Sequence, residues 1–177
     1  MCIRDSDLGV ESFDQGVLDA IKKDMKVEKI SRGIKILKDY GIEPEIKVLL
    51  GATPVDTEEK IRKTIDEVEK LDVNYVLYSI ASPFPGTDFY YATKENGWFT
   101  TEDKEYKPVD PSEEAIISYP HLTKEKLDAL LSYAYKRHYF NPRYFAKQFK
   151  QIRSFRDFRN KASTAANLFR RNVIGRF

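Results

Sequence analysis

Cysteine and long apolar runs are scarce in this 177-residue sequence. The one cysteine, Cys2, excludes an internal disulfide framework and a metal site built from several thiolates of this chain. With only two histidines, we expect no metal site within the chain alone. No apolar run approaches the about 20 residues that a membrane-spanning helix requires, and nothing near Met1 is typical of a signal peptide. We therefore expect no transmembrane segment and a cytoplasmic location, whether free or peripheral to a membrane.

Negative charge is scarce in the last third of the sequence. Residues 121–177 hold 3 acidic residues against 14 Lys and Arg, whereas residues 1–120 hold 25 acidic residues against 16 Lys and Arg. The overall net charge of +2 thus conceals an acidic body and a basic tail that is rich in aromatic residues. With 41% hydrophobic residues, the chain has enough apolar material for the core of one domain with an appendage.

Helical and strand patterns alternate in the first half of the sequence. Apolar residues spaced three and four apart indicate helices after Ser12, over residues 27–40 and after Asp56. Short apolar runs indicate strands over residues 45–50 and 75–81, and a strand end near Ser12. Because strands joined by helices form right-handed crossovers, we expect a parallel sheet with helices on one side and an exposed opposite face.

Two of these helices begin with capping patterns. Ser12 followed by Gln15, and Asp56 followed by Glu59, have the spacing of an N-cap residue and its partner three positions later. We therefore predict N-caps at Ser12 and Asp56.

The second half of the sequence is less regular. Residues 88–96 indicate a short helix and residues 98–119 a polar loop. Thr123 is placed to cap a long helix, which Asn141 and Pro142 interrupt before further helices follow. The aromatic residues of this tail are expected to be mostly core. We predict three segments: an α/β part over residues 1–97, a connecting loop over 98–122 and a basic helical extension over 123–177.

Three stretches, in this order, resemble one family of enzymes. Residues 9–12 (Gly-Val-Glu-Ser) resemble the fourth-strand motif of radical S-adenosylmethionine (SAM) enzymes. Residues 51–57 (Gly-Ala-Thr-Pro-Val-Asp-Thr) resemble the turn after that family's fifth strand, and residues 82–87 (Ser-Pro-Phe-Pro-Gly-Thr) the turn after its sixth. Residues 134–142 resemble the helical C-terminus of the subgroup that also carries a cobalamin-binding domain. They depart from its pattern at His138, Phe140 and Asn141.

The resemblance implies an α/β fold, namely the C-terminal half of a partial (β/α)6 TIM-type barrel with parallel strands, followed by an α-helical C-terminal extension. The family's Cys-x-x-x-Cys-x-x-Cys loop, which holds a [4Fe–4S] cluster, is absent from this sequence. We therefore expect a missing N-terminal half that supplies the cluster and, in that subgroup, a cobalamin-binding domain. We also expect a reducing electron donor as a partner. Residues 1–6 are expected to be foreign to the fold, and the isolated chain to be inactive.

Five residues match SAM-binding positions of the family: Glu11, Ser12, Gly51, Ser82 and Pro83. The resemblance implies that Glu11 accepts a hydrogen bond from the SAM amino group or ribose, and that Ser82 and Pro83 face the adenine. Four of them have a simpler alternative that stays open. Glu11 can be a solvated carboxylate, Ser12 a helix cap, Gly51 an ordinary strand-end glycine and Pro83 a residue that stiffens a turn.

The substrate is not identified by the sequence. Methylation, cyclisation, oxidation and methylthiolation all agree with the resemblance, on a small molecule, a lipid or RNA. Lys47, a charge within an apolar strand, either faces the barrel interior near the substrate or extends to solvent at an edge. The alternative function is a non-enzymatic interaction module whose basic aromatic tail binds RNA or an anionic membrane surface. The arginines of the tail can also form a solvated helix face.

Overall fold

The structure is a computed structural model that describes residues 5–101, 106, 110–112, 114–150 and 159. The chain divides into two compact units, Met1–Leu131 and Ser132–Phe177. The helix predicted after Ser154, with most of the tail's arginines, lies outside the described residues.

A three-stranded sheet organises the first unit. Strands β1 (Asp5–Glu11), β2 (Glu43–Leu50) and β3 (Tyr75–Ile80) are hydrogen-bonded in the order β1-β2-β3, and both pairs are parallel. The predicted parallel sheet is therefore confirmed, within a mixed α/β arrangement. β1 is a strand of 7 residues rather than a short strand end, and it includes Asp5 and Ser6 from the segment expected to be foreign.

Helices connect and follow these strands. Their bounds are α1 Gln15–Ala20, α2 Val27–Asp39, α3 Glu58–Lys70, α4 Asp88–Glu95, α5 Lys124–Tyr139 and α6 Pro142–Lys150. The predicted break between α5 and α6 is confirmed, because the Asn141 side chain accepts a hydrogen bond from the Arg143 N–H at the start of α6. Among the described residues, no helix combines the length and apolar character needed to cross a bilayer.

The two faces of the sheet differ in burial. Along β2 every second side chain is buried, and Ile46, Val48 and Leu50 have no exposed surface. Right-handed crossovers between successive parallel strands place the connecting helices on this one side, where each buried aliphatic side chain contributes about 1.5–3 kcal/mol. On the opposite face, Tyr75 and Leu77 of β3 are 44% and 38% exposed. The expectation of one covered and one open face is confirmed for the described strands.

The N-caps predicted at Ser12 and Asp56 are wrong by a short distance, whereas the Thr123 hydroxyl accepts from the Lys126 N–H at the start of α5 as predicted. Asp14, not Ser12, caps α1 by accepting from the Val17 N–H, and Thr57, not Asp56, caps α3. The reason is that both side chains are buried and already bound. Ser12 and Asp56 are buried, 3% and 2% exposed, and their side chains bind other partners that the local spacing does not reveal.

Several described residues of the segment predicted as a polar loop are buried. Phe99 and Ile117 form an antiparallel bridge, and both are buried together with Tyr119. The Ile80 N–H at the end of β3 donates to the carbonyl of Pro111 at 2.7 Å. The described residues of this stretch form no helix or named strand, in keeping with a loop, but the apolar residues at its two ends pair and pack.

Aromatic rings characterise the second unit. Tyr139 contacts the rings of His138 and Tyr144 at centroid distances of 4.7 and 5.2 Å, and His138 is buried. Phe145 and Phe149 of α6 are instead 42% and 65% exposed. The prediction of a mostly core role is wrong for these two residues because they lie on the solvent side of α6.

Candidate functional site at the carboxyl edge of the sheet

The three stretches that carry the resemblance lie at one edge of the sheet. β1 ends at Glu11, which pairs with Val48 of β2, and Leu50 at the end of β2 pairs with Ile80 at the end of β3. Because the strands are parallel, Glu11, Gly51 and Ser82 all lie at or just after their carboxyl ends. This edge is where ligands bind in α/β proteins with parallel sheets.

Glu11 has a strained backbone and a partner within the chain. Its φ of 65° lies in the left-handed region, next to an irregularity in the β1–β2 register at Gly9. Its Oε1 accepts a hydrogen bond from Lys23 Nζ at 2.9 Å, and the two side chains are 18% and 31% exposed. A Cβ at Gly9 would lie 2.6 Å from the same Oε1. The missing side chain at position 9 thus leaves room for the Glu11–Lys23 ion pair.

Ser12 links the turn after β1 to α3. Its hydroxyl lies 3.3 Å from that of Thr64 and accepts from the Asp14 N–H at 3.1 Å. Thr64 Oγ1 also accepts from the Phe13 N–H at 3.1 Å. These bonds are buried, so the Ser12 hydroxyl holds the turn in place and has two partners within the protein. Its assignment to SAM stays a prediction.

Gly51 begins the turn after β2 with a φ of 68°. Its N–H donates to Asp56 Oδ2 at 3.0 Å, and its carbonyl accepts from the Tyr119 hydroxyl at 2.9 Å. A Cβ at this position would lie 2.9 Å from Leu127 Cδ2, on α5. The glycine is therefore required by its left-handed backbone and by the approach of Leu127, whatever further contact it makes.

Among the carboxylic acids of the described residues, Asp56 has the pKa that is shifted most. Burial raises its pKa to about 6, against the opposing effect of hydrogen bonds from the Gly51 and Thr57 N–H groups and of the Lys60 charge. The backbone carbonyl of Asp56 lies 2.9 Å from His121 Nε2. Burial also raises the pKa of Tyr119 above its usual range. Polar contacts therefore hold both ends of the turn after β2 in a largely buried environment.

The turn after β3 is rigid and presents an aromatic ring. Ser82 is half-buried and Pro83 buried, whereas Phe84 is 56% exposed. The Thr87 hydroxyl donates to the Phe84 carbonyl at 2.7 Å and accepts from the Tyr90 N–H as the N-cap of α4. The stiffening that proline provides is thus reinforced by Thr87.

Lys47 lies on the open face of the sheet. Its Nζ donates to Asp7 Oδ2 at 2.7 Å, and this contact raises the pKa of Lys47. The side chain is 41% exposed. It therefore points away from the side that the helices cover, and its role toward a substrate stays a prediction.

Sequence reasoning missed four residues of this edge: Lys23, Thr64, Tyr119 and Leu127. Tyr119 and Thr64 bind groups that are 68 and 51 residues away in the chain, so no local pattern identifies them. Asp56 was noticed, but its spacing to Glu59 indicated a helix cap. The glycine at 51 was the available signal, because a positive φ and a close neighbour both favour glycine.

These features define the class of protein: an α/β chain whose candidate ligand site is the carboxyl edge of a parallel sheet. Comparison with curated proteins identifies two relatives. The chain is 29% identical over 148 residues to an uncharacterized methyltransferase of Pyrococcus horikoshii, covering 83% of this chain and 31% of that protein. It is 31% identical over 99 residues to the bacteriochlorophyllide d C-8(2)-methyltransferase of Chlorobaculum tepidum, covering 55% of this chain and 22% of that protein.

The relatives are much longer than the matched regions. The chain spans about a third of the first relative's length and about a fifth of the second's. No protein-family model matches the sequence. Both relatives are methyltransferases by name, so the similarity is to enzymes, which supports the expectation of an enzyme. It gives no support to the alternative of an interaction module.

Proposed function

We propose that this chain is the C-terminal part of a longer SAM-dependent methyltransferase of the radical SAM type. The observation that carries the proposal is the joint occurrence of two methyltransferase relatives and of three family-like stretches at one carboxyl edge. The parallel sheet with one helix-covered face and one open face is also what part of a TIM-type barrel would have. Within this proposal, methylation is preferred over cyclisation, oxidation and methylthiolation.

The candidate SAM contacts differ in accessibility. Glu11 offers a partly exposed carboxylate to the ammonium group of SAM, and Lys23 orients that carboxylate through Oε1. Ser82 and Pro83 offer the turn that follows β3. Ser12 and Gly51 contribute by holding the edge in shape, since their polar groups bind Thr64, Asp14, Asp56 and Tyr119.

A [4Fe–4S] cluster does not fit the donor set of this chain. Three thiolates are needed when SAM occupies the fourth iron, and the sequence has only Cys2, which lies outside the described residues. Across the described ranges, no three His, Cys, Asp or Glu side chains are grouped as metal ligands would be. In our proposal the cluster ligands, like any cobalamin-binding domain, belong to a different part of the longer protein. No step through either group is assigned to this chain.

The proposal is tested by comparing the 177-residue chain with the protein encoded by the complete reading frame that contains it. After anaerobic reconstitution with iron and sulfide and addition of a reductant, the longer protein should release 5′-deoxyadenosine from SAM. The 177-residue chain should release none above background. Methyl transfer without deoxyadenosine would contradict radical chemistry, and deoxyadenosine from the short chain would contradict the assignment of the cluster to another part.

The SAM site is tested by the affinity of variants of the longer protein. Glu11→Ala should weaken SAM binding by about ten- to a hundredfold, because a charge-assisted hydrogen bond contributes about 1.5–3 kcal/mol. Glu28→Ala, an exposed acid on α2, serves as the control and should leave SAM affinity unchanged. Equal affinities for wild type and Glu11→Ala, measured by titration calorimetry, would remove Glu11 from the site.

A further inference from the structure

Helix α6 presents an apolar face to solvent. Phe145 and Phe149 are four residues apart and therefore adjacent on the helix surface. They are 42% and 65% exposed, and Ala146 beside them is exposed as well. Two adjacent exposed phenylalanines exceed the scattered apolar residues of an ordinary surface, and such patches mark interaction sites.

Helix α6 also carries positive charge and no acidic residue. Arg143 in the first turn of α6 is exposed, and residues 121–177 as a whole hold 14 Lys and Arg against 3 acidic residues. A partner that complements the helix must therefore combine apolar groups with negative charge. An anionic phospholipid bilayer has both, because its acyl chains lie directly beneath its phosphates.

We propose that α6 is an interfacial helix that binds the surface of an anionic phospholipid membrane. Phe145 and Phe149 insert into the boundary between headgroups and acyl chains, while Arg143 contacts lipid phosphates. A helix with an apolar face and cationic residues lies in the plane of the membrane, with its apolar face at the boundary between headgroups and acyl chains. This inference is independent of the chemistry proposed above.

RNA is the less suitable partner for this face. Sequence-specific RNA-binding surfaces combine aromatic stacking with hydrogen bonds to base edges or riboses. The exposed stripe formed by Phe145, Ala146 and Phe149 has no side-chain donor or acceptor. This stripe gains more free energy from burial in hydrocarbon than from contact with RNA, because in hydrocarbon the whole surface of each ring leaves water.

The test measures sedimentation of the 177-residue chain with vesicles. The chain should bind vesicles of phosphatidylcholine and phosphatidylglycerol, bind pure phosphatidylcholine vesicles far less, and dissociate from the anionic vesicles as salt rises. The double variant Phe145→Ser/Phe149→Ser should bind the anionic vesicles at least about tenfold more weakly. Arg143→Gln should bind them about fivefold more weakly, because one cation near the membrane surface raises the affinity for anionic lipid by about that factor.

Matched variants separate insertion from folding. Tyr40→Ser removes an aromatic ring that is 81% exposed at the end of α2, and vesicle binding should stay at the wild-type level. Phe149→Leu should retain vesicle binding because it keeps an apolar side chain. Circular dichroism melts should be the same for wild type and all variants.

Three results would overturn the proposal. The first is a lack of binding to anionic vesicles, and the second is vesicle binding that the double Phe variant leaves unchanged. The third is binding to single-stranded RNA, but not to vesicles, that depends on Phe145 and Phe149, which would assign α6 to RNA instead.

Discussion

The buried carboxylate of Asp56 accepts a 3.0 Å hydrogen bond from the backbone N–H of Gly51, five residues earlier in the chain. The turn between β2 and α3 is thereby closed on itself. On its other side, the Gly51 carbonyl binds the Tyr119 hydroxyl, which comes from a segment 68 residues away. The conformation of this edge therefore depends on both a local and a long-range contact, and substitutions can separate the two.

The burial of Asp56 predicts a specific pH dependence of stability. Its pKa rises from 3.8 to about 6 on folding, so the folded state binds the proton more tightly than the unfolded state. The resulting stabilisation is complete below pH 3.8 and is lost as the pH rises through about 6. Relative to Asp56→Asn, which cannot titrate, the wild type should lose about 2–3 kcal/mol of unfolding free energy across this window.

The measurement is a series of urea unfolding curves for both proteins at several pH values. Taking the difference between wild type and Asp56→Asn cancels the pH dependence that the two proteins share. Repeating the comparison in a His121→Gln background removes the imidazole next to the Asp56 carbonyl. A difference that stays constant between pH 4 and pH 7 would contradict the raised pKa of Asp56.

Gly51→Ala should destabilise the fold by about 2–4 kcal/mol. The left-handed φ of 68° costs about 1–2 kcal/mol for a residue with a Cβ, and the contact at 2.9 Å with Leu127 adds the cost of overpacking. Thermal or urea unfolding measures the loss. Leu127→Ala should be less destabilising in the Gly51→Ala background than in the wild type, because it removes the clash.

Two other glycines provide controls for this substitution. Gly41 has a φ of 73° and open space at its Cβ position, so Gly41→Ala should show the backbone cost alone, about 1–2 kcal/mol. Gly33 lies inside α2 with nothing near its Cβ position, so Gly33→Ala should stabilise the protein by up to about 1 kcal/mol. Equal effects at positions 41 and 51 would mean that Leu127 does not restrict Gly51.

Thr64→Val should cost about 1–3 kcal/mol of unfolding free energy. Its hydroxyl is the acceptor for the Phe13 N–H and the partner of the Ser12 hydroxyl. Valine would leave the Phe13 N–H without this acceptor, while the Ser12 hydroxyl would keep only its bond from the Asp14 N–H. Thr93→Val is the matched control, because the hydroxyl of Thr93 only donates to the Phe89 carbonyl within its own helix. The prediction is wrong if the two substitutions destabilise the protein equally.

Gly9→Ala should move the Glu11 carboxylate with little loss of stability. The new Cβ would lie 2.6 Å from Glu11 Oε1, which is the end of a flexible side chain and can shift. We expect a change below about 1 kcal/mol in unfolding free energy, and a changed SAM affinity in the longer protein if Glu11 binds SAM. If neither Gly9→Ala nor Glu11→Ala changes the SAM affinity, Glu11 does not bind SAM, and its role is the ion pair with Lys23.

The parts of the fold that depend on local sequence were predictable. The apolar runs at β2 and β3 and the three- and four-residue spacing in α2 and α3 appear directly in the sequence, and their alternation indicates a parallel sheet. The caps at Ser12 and Asp56 were misassigned because both residues fit the capping pattern. The Ser12 hydroxyl instead contacts Thr64 of α3, and the Asp56 carboxylate binds the Gly51 N–H at the start of the turn. The contacts of Thr64, Tyr119 and Leu127 with the candidate site depend on how distant segments pack, which periodicity does not encode.

The strict alternation of burial along β2 has a consequence for mutational scanning of the chain. Pro44, Ile46, Val48 and Leu50 face the helices, whereas Glu43, Glu45, Lys47 and Leu49 face the open side. A selection for cellular abundance should therefore reject polar residues only at the even positions. A selection for activity of the longer protein should reject changes at the odd positions too. Positions rejected in both selections would then be needed for folding, and positions rejected only in the activity selection would be needed for function.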